Sequence, residues 1–166
     1  ILCAGPHQKK EIELRENNKG LIRKNLISYG YPRLEKLIQL NALPNNDRKV
    51  ILLAPTWGEN SIINLVGMEI CSIIIDQGYS LILRPHHETL KRSPDLIDEI
   101  EKKFSNHESF KLVKEMGESE SLLQSDLLIC DWSGTAIEYA LGLEKPIIFI
   151  DILPRVRNPN WNEIQS

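Results

Sequence analysis

Much that would betray a function by composition is missing from this chain. No stretch of its 166 residues is apolar for the length needed to cross a bilayer. No charged start followed by an apolar segment and a small-residue cleavage site reads as a signal peptide, so the chain is expected to work in the cytoplasm. Charge of one sign is also lacking: 20 Lys and Arg face 23 Asp and Glu, which gives no basis for a broad electrostatic grip on nucleic acid or an anionic membrane. An anionic ligand must therefore be held by local geometry. The three cysteines, Cys3, Cys71 and Cys130, form no C-x-x-C pair; reduced, buried thiols are expected rather than a disulfide or a metal site. Three signatures are absent as well. Without G-x-G-x-x-G after the first strand there is no support for a nicotinamide or flavin cofactor, without G-x-x-x-x-G-K-[ST] none for a P-loop NTPase, and without G-x-S-x-G none for a serine hydrolase.

What the chain does have is regular alternation. Ile1–Ala4 reads as a short strand, Gln8 to Lys19 as a helix ended by Gly20, Leu26–Tyr29 as a second apolar run and Arg33–Leu40 as a helix with Leu34, Leu37 and Ile38 on one face. Asn41–Lys49, with Pro44-Asn45-Asn46-Asp47, is the expected linker. From Val50 onward, strands at Val50–Ala54, Ser80–Leu83, Phe110–Val113, Leu127–Cys130 and Pro146–Ile150 alternate with helices. Those helices are Ser61–Gln77 stopped by Gly78, a segment opened by Ser93-Pro94 and running to about Phe104, Ser119–Gln124, and Thr135–Leu141 ended by Gly142. This pattern predicts an α/β fold, a Rossmann-like parallel sheet with helices on both faces. The apolar run Ile147-Ile148-Phe149-Ile150 predicts a strand covered on both sides. The chain starts inside an apolar run and is expected to be a piece of a longer protein. Residues 1–45 are expected to close an N-terminal domain and form the interdomain connection, and residues 46–166 a C-terminal nucleotide-binding domain.

Three strands end in polar clusters, which a parallel sheet brings to one edge, the edge where open α/β sheets bind ligands. Asp131-Trp132-Ser133-Gly134-Thr135 runs from a strand end into a helix start. Free N–H groups there, with a glycine that permits close approach, suit a phosphate or pyrophosphate. Glu138, one turn on, is placed for ribose hydroxyls. The competing structural reading is a capping box, Thr135-x-x-Glu138, which would satisfy the helix start by itself. Arg84-Pro85-His86-His87 gathers a guanidinium and two imidazoles at one strand end, suited to phosphate binding and to proton transfer. The blander reading pairs Arg84 with a carboxylate and leaves the histidines solvated. Adjacent histidines on an extended segment point to opposite sides, which argues against a shared metal. Thr56 and Trp57 offer a hydroxyl and an indole to the same edge, although Trp57 and Trp132 equally suit rim packing. Ser119-Glu120-Ser121 reads as a helix cap. His7 and His107 are assigned no role.

The succession Gly5-Pro6-His7, Gly30-Tyr31-Pro32-Arg33-Leu34-Glu35-Lys36-Leu37, Ala54-Pro55-Thr56-Trp57, Arg84-Pro85-His86, Ser125-Asp126-Leu127-Leu128-Ile129-Cys130-Asp131-Trp132-Ser133-Gly134 and Lys145-Pro146-Ile147-Ile148-Phe149 resembles the CDP-glycerol glycerophosphotransferase family, relatives of teichoic acid polymerases and primases. The resemblance implies one half of a GT-B fold, the C-terminal, donor-binding one. It implies transfer of glycerol phosphate from CDP-glycerol to a hydroxyl of a polymer or lipid-linked acceptor, with release of CMP, no structural metal and no cofactor. It places His86 and Arg84 in catalysis and Thr56, Trp57, Ser133, Gly134, Thr135 and Glu138 around the donor's nucleotide and phosphates. The full protein is expected at the inner face of the cell membrane, with a second catalytic histidine and the acceptor groove in the other domain. Where the family usually carries Asp-Tyr-Ser-Ser this chain has Asp131-Trp132-Ser133-Gly134, and His87 stands where the family often has proline. Two alternatives stay open: a GT-B enzyme using a UDP-sugar, either a glycosyltransferase or a UDP-GlcNAc 2-epimerase, and a non-catalytic nucleotide-binding module.

Overall fold

A computed structural model of the chain describes residues 1–40, 49–115, 117 and 119–153. The linker expected at Asn41–Lys49 lies, apart from Lys49, outside the described residues. The described residues fall into two compact units, 1–36 and 37–153.

In the first unit β1 (Leu2–Cys3) and β2 (Ile27–Ser28) pair in parallel around α1 (Pro6–Lys19), with Leu2 opposite Ile27 and Cys3 opposite Ser28. Proline at the first helical position gives up an N–H that would have no partner there. At the other end Gly20, with φ 60°, supplies the left-handed residue that terminates α1. His7 is exposed in the first turn of α1.

The second unit begins within α2 (Pro32–Leu40) and is built on a five-stranded parallel sheet. Its strands are β3 (Val50–Leu53), β4 (Ser80–Leu83), β5 (Phe110–Leu112), β6 (Leu127–Cys130) and β7 (Ile147–Phe149), in the order β5-β4-β3-β6-β7. Between them run α3 (Ile62–Asp76), α4 (His87–Arg92), α5 (Pro94–Phe104), α6 (Glu120–Gln124) and α7 (Thr135–Leu143). Successive strand side chains point to opposite faces, and the core divides accordingly. Ile51, Leu53, Leu81, Leu83 and Ile129 pack with Cys71 and Ile74 of α3 and Ile97 and Ile100 of α5. Val50, Leu52, Ile82, Leu128 and Cys130 pack with Leu37 of α2, Leu122 of α6 and Tyr139 of α7. The sheet is thus covered on both faces, as the unbroken apolar strands require.

The chain leaves β3 toward β4 and β5 on one side, then returns to place β6 and β7 on the other. Strand order therefore reverses between β3 and β6. The helices that follow these two strands, α3 and α7, cover opposite faces, and a crevice opens at the carboxyl ends between them.

Several local expectations are corrected. The last helix does not end at Gly142, which is buried inside α7. It ends at Glu144, a non-glycine residue with positive φ, 54°. β7 is an edge strand among the described residues, and its Ile148 and Phe149 are exposed although the sheet as a whole is covered on both faces. Ser93 occupies the N-cap of α5 without a side-chain capping bond. α3 is broken at Val66, whose φ of −144° is non-helical.

Candidate functional site

Three loops meet the carboxyl edge of the sheet from neighbouring strands: Pro55–Ser61 after β3, Arg84–His86 after β4, and Asp131–Gly134 after β6. Asp131 joins the first and third. It is 1% exposed. Its Oδ1 accepts the Thr56 amide at 2.6 Å and its Oδ2 accepts the Ile62 amide, at the start of α3, at 3.1 Å. Ser61, the N-cap residue of α3, makes no capping bond to its own helix; its Oγ donates to the Gly58 carbonyl at 2.7 Å, which tightens the loop instead. The capping duty has passed to a carboxylate from another strand.

Arg84 joins the second loop to two helices. Its Nη1 donates to Ser121 Oγ of α6 and its Nη2 to Thr135 Oγ1 of α7, both at 3.2 Å. A planar fork with fixed donors is what allows one side chain to hold two hydroxyls apart at a set spacing. Thr135 is the first residue of α7, with Gly134 as N-cap and no side-chain cap bond. The capping box is therefore not formed: Thr135 Oγ1 serves Arg84, while Ser133 Oγ accepts the Thr135 amide at 3.3 Å. Glu138, which the box would have used, lies one turn into α7 and is 8% exposed.

His86 caps α4. Its Nδ1 accepts the Glu88 amide at 3.1 Å, so in the neutral ring the proton sits on Nε2 and that nitrogen is a hydrogen-bond donor. The expectation that the two histidines point apart fails, because the helix starts at His87 and turns the backbone between them. Their rings lie 4.2 Å apart. Trp57 stacks against His86 at 6.1 Å with an interplanar angle of 27°, and the Arg92 guanidinium sits 5.0 Å from the Trp57 ring centre. Glu88 bonds Arg92 Nε at 2.7 Å and lies 3.5 Å from His87 Nε2. The Arg92 hydrogen bond holds the Glu88 carboxyl below its usual range. Trp57 thus has a defined stacking role, whereas Trp132 is 62% exposed at the rim.

Behind α6, Lys145 Nζ donates to the carbonyls of Leu123 at 2.7 Å and Ser125 at 2.6 Å. Burial pulls the Lys145 ammonium below its ordinary pKa. Tyr139 donates to the Ser125 carbonyl at 3.1 Å.

The structure therefore brings Thr56, Trp57, Arg84, His86, Ser133, Gly134 and Thr135 to one edge, with Glu138 set deeper in α7. Sequence reasoning missed the anchoring parts of Asp131, Ser121, Arg92 and Lys145. For Asp131 a signal existed: an acid directly after an apolar strand, where packing gives no reason for a charge.

A parallel α/β sheet with helices on both faces and polar groups gathered at its strand-order reversal defines a Rossmann-like unit. Residues 8–152 match the model of the CDP-glycerol:poly(glycerophosphate) glycerophosphotransferase family, and the chain belongs to that family. It is 32% identical to a teichoic acid poly(glycerol phosphate) polymerase of Bacillus spizizenii, the match covering 76% of this chain and 35% of that relative. Among solved structures, a variant of the wall teichoic acid polymerase TagF shares the fold with a TM-score of 0.55 at 22% identity, over 89% of this chain and 38% of the other. The UDP-GlcNAc 2-epimerase of Neisseria meningitidis, bound to UDP-GlcNAc, shares it with a TM-score of 0.51 at 19% identity, over 80% and 40%. The chain spans about a third of the length of the relatives it matches in sequence.

Proposed function

We propose that this chain is the donor-binding part of an enzyme that moves glycerol phosphate from CDP-glycerol to a hydroxyl of a polymer or lipid-linked acceptor, in the synthesis of a teichoic-acid-like envelope polymer. Family membership supports the reaction class. The observation that carries the site is the Arg84 fork between Ser121 and Thr135 beside the oriented imidazole of His86. In the reaction the acceptor hydroxyl gives its proton to a base, the second histidine expected in the partner domain, as its oxygen attacks the glycerol-bearing phosphorus; the bond from that phosphorus to the bridging oxygen breaks, and CMP departs with the bridging oxygen. Negative charge grows on CMP as it leaves. Arg84 and the Nε2–H of His86 are the groups proposed to stabilise that charge. The turn at Ser133, Gly134 and Thr135 is proposed to cradle the pyrophosphate chiefly through the Gly134 amide, because the Ser133 and Thr135 amides are bonded within the turn, with the Thr56 hydroxyl assisting, Trp57 against the base or sugar, and Glu138 on ribose. Residues 1–45 would belong to the N-terminal domain and connection, and the acceptor groove to the partner domain. No helix among the described residues is long and apolar enough to cross a membrane, which is compatible with work in the cytoplasm at the membrane's inner face.

In the full-length protein, His86→Ala is expected to lower transfer by about a hundredfold or more while lowering stability only by the roughly 1 kcal/mol that loss of the α4 cap costs; full turnover would remove His86 from the mechanism. The fold shared with an epimerase bound to UDP-GlcNAc, together with Glu138 one turn into α7, favours one second reading, a UDP-sugar donor. Calorimetric titration of CDP-glycerol, CMP, UDP and UDP-GlcNAc separates the two, and a clear UDP preference would overturn the first.

A further inference from the structure

We propose that Asp131 is a positioning residue that clamps the Pro55–Ser61 loop from the end of the neighbouring strand β6, so that Thr56 and Trp57 meet the donor in a preset arrangement. The inference rests on the donor site proposed above, but the clamp is read from contacts independent of it. If Asp131 only capped α3, one oxygen on the Ile62 amide would be enough. The shorter bond, 2.6 Å, instead goes to the Thr56 amide, six residues earlier and next to β3. One buried carboxylate thus spans both ends of the loop. Its own carbonyl accepts the Ser133 amide at 2.6 Å, which ties the clamp to the turn that opens α7.

The chemistry requires a carboxylate rather than an amide. Both loop groups are N–H donors, and only an acceptor on each oxygen satisfies both. In Asp131→Asn the side chain keeps its shape but turns one NH2 toward a backbone N–H, leaving two donors facing each other in a buried site. The loop then has a reason to open. Opening frees Trp57 from its stack on His86 and from the Arg92 guanidinium, so one broken bond reaches the imidazole through the indole. A binding site whose competent form is populated only one part in ten loses about tenfold in apparent affinity, with no donor contact removed.

The test uses the full-length protein. In the wild type, hydrogen exchange should find the Thr56 and Ile62 amides protected to nearly the degree of the β3 amides, although Thr56 lies in a loop. In Asp131→Asn, protection over residues 55–62 should drop while β3 and β6 stay protected, and CDP-glycerol affinity should fall about tenfold with kcat changed less than threefold. Loop-like exchange at Thr56 in the wild type would overturn the proposal without any variant, and covers the case in which the variant does not fold. So would an Asn variant with a loosened loop and unaltered affinity, or with an intact loop. A wild type that binds no CDP-glycerol would instead sink the donor reading, leaving the exchange arms to decide on the clamp.

Discussion

Arg84 shows how much one residue can be asked to do by its surroundings. It leaves β4 just before Pro85, whose ring pushes the preceding backbone toward extended geometry, and its guanidinium then bridges hydroxyls from two helices. Lysine would keep the charge but not the fork. Arg84→Lys in the full-length protein is therefore expected to weaken donor binding about tenfold, read by calorimetry, with about 1 kcal/mol of stability lost with the bonds to Ser121 and Thr135; unchanged affinity would show that charge alone suffices. At this scale the sequence was partly legible. Thr56, Trp57, Arg84, His86 and Ser133 stand where apolar strands stop, and polar residues there have no packing reason to exist. Ser121 was read as a cap, because its partner is 37 residues away in the chain. The bond between Asp131 and Thr56 spans 75 residues and leaves no local trace.

Among the elements, α6 is the one least able to stand alone. Its five residues are too short for a stable isolated helix. Both ends are held by distant side chains, Arg84 at Ser121 and Lys145 at the carbonyls after Leu122. Lys145→Met removes the charged donor from the half-buried Leu123 carbonyl and leaves the Ser125 carbonyl with the Tyr139 hydroxyl alone. A loss of about 2 kcal/mol is expected, measurable by denaturant unfolding, together with weaker donor binding through Ser121. A stability loss below about 0.5 kcal/mol would mean that α6 is held by packing instead. The helix start at Pro94 and the stop at Gly20 follow from residue chemistry, and the sequence announces them, whereas α1 begins at Pro6, ahead of the expected Gln8. Gly142 misleads because a glycine inside a helix and one that ends it look alike in sequence. Here Gly142 is buried in α7 and Glu144 adopts the left-handed turn.

For the whole molecule, burial makes a statement about pH. It pushes the thiols of Cys71 and Cys130 from 9.0 to about 12, and the Tyr139 phenol from 10.0 to about 12. The folded protein keeps these protons where the unfolded chain has released them. Stability contributed by the two thiols is therefore fully present below pH 9 and is lost as the pH rises from 9 toward 12, and that of the phenol is lost from pH 10 toward 12, by up to about 1.4 kcal/mol per pH unit for each group. Lys145 acts with the opposite sign: its lowered pKa means that the charged form is penalised in the fold and that the penalty fades as pH rises. The two thiols, joined by the phenol above pH 10, outweigh the one ammonium, so urea midpoints measured from pH 8 to 10.5 should fall with pH, chiefly above pH 9, and Cys71→Ala should make the fall shallower. A midpoint that holds steady over that range would show that the two thiols and the phenol are not buried in solution.

The kind of fold was decided by local chemistry. Strand-length apolar runs separated by helical patterns leave few alternatives to a parallel sheet between helices, since every such strand must be covered on both faces. The strand-end positions of Thr56, Arg84, His86 and Ser133 came with it. What the tertiary structure alone decided was strand order, and with it everything that depends on which strands are neighbours. Periodicity constrains each strand's faces but not its partners. Only the order β5-β4-β3-β6-β7 sets β3 beside β6, lets a carboxylate from one hold the loop of the other, and opens the crevice in which the site lies.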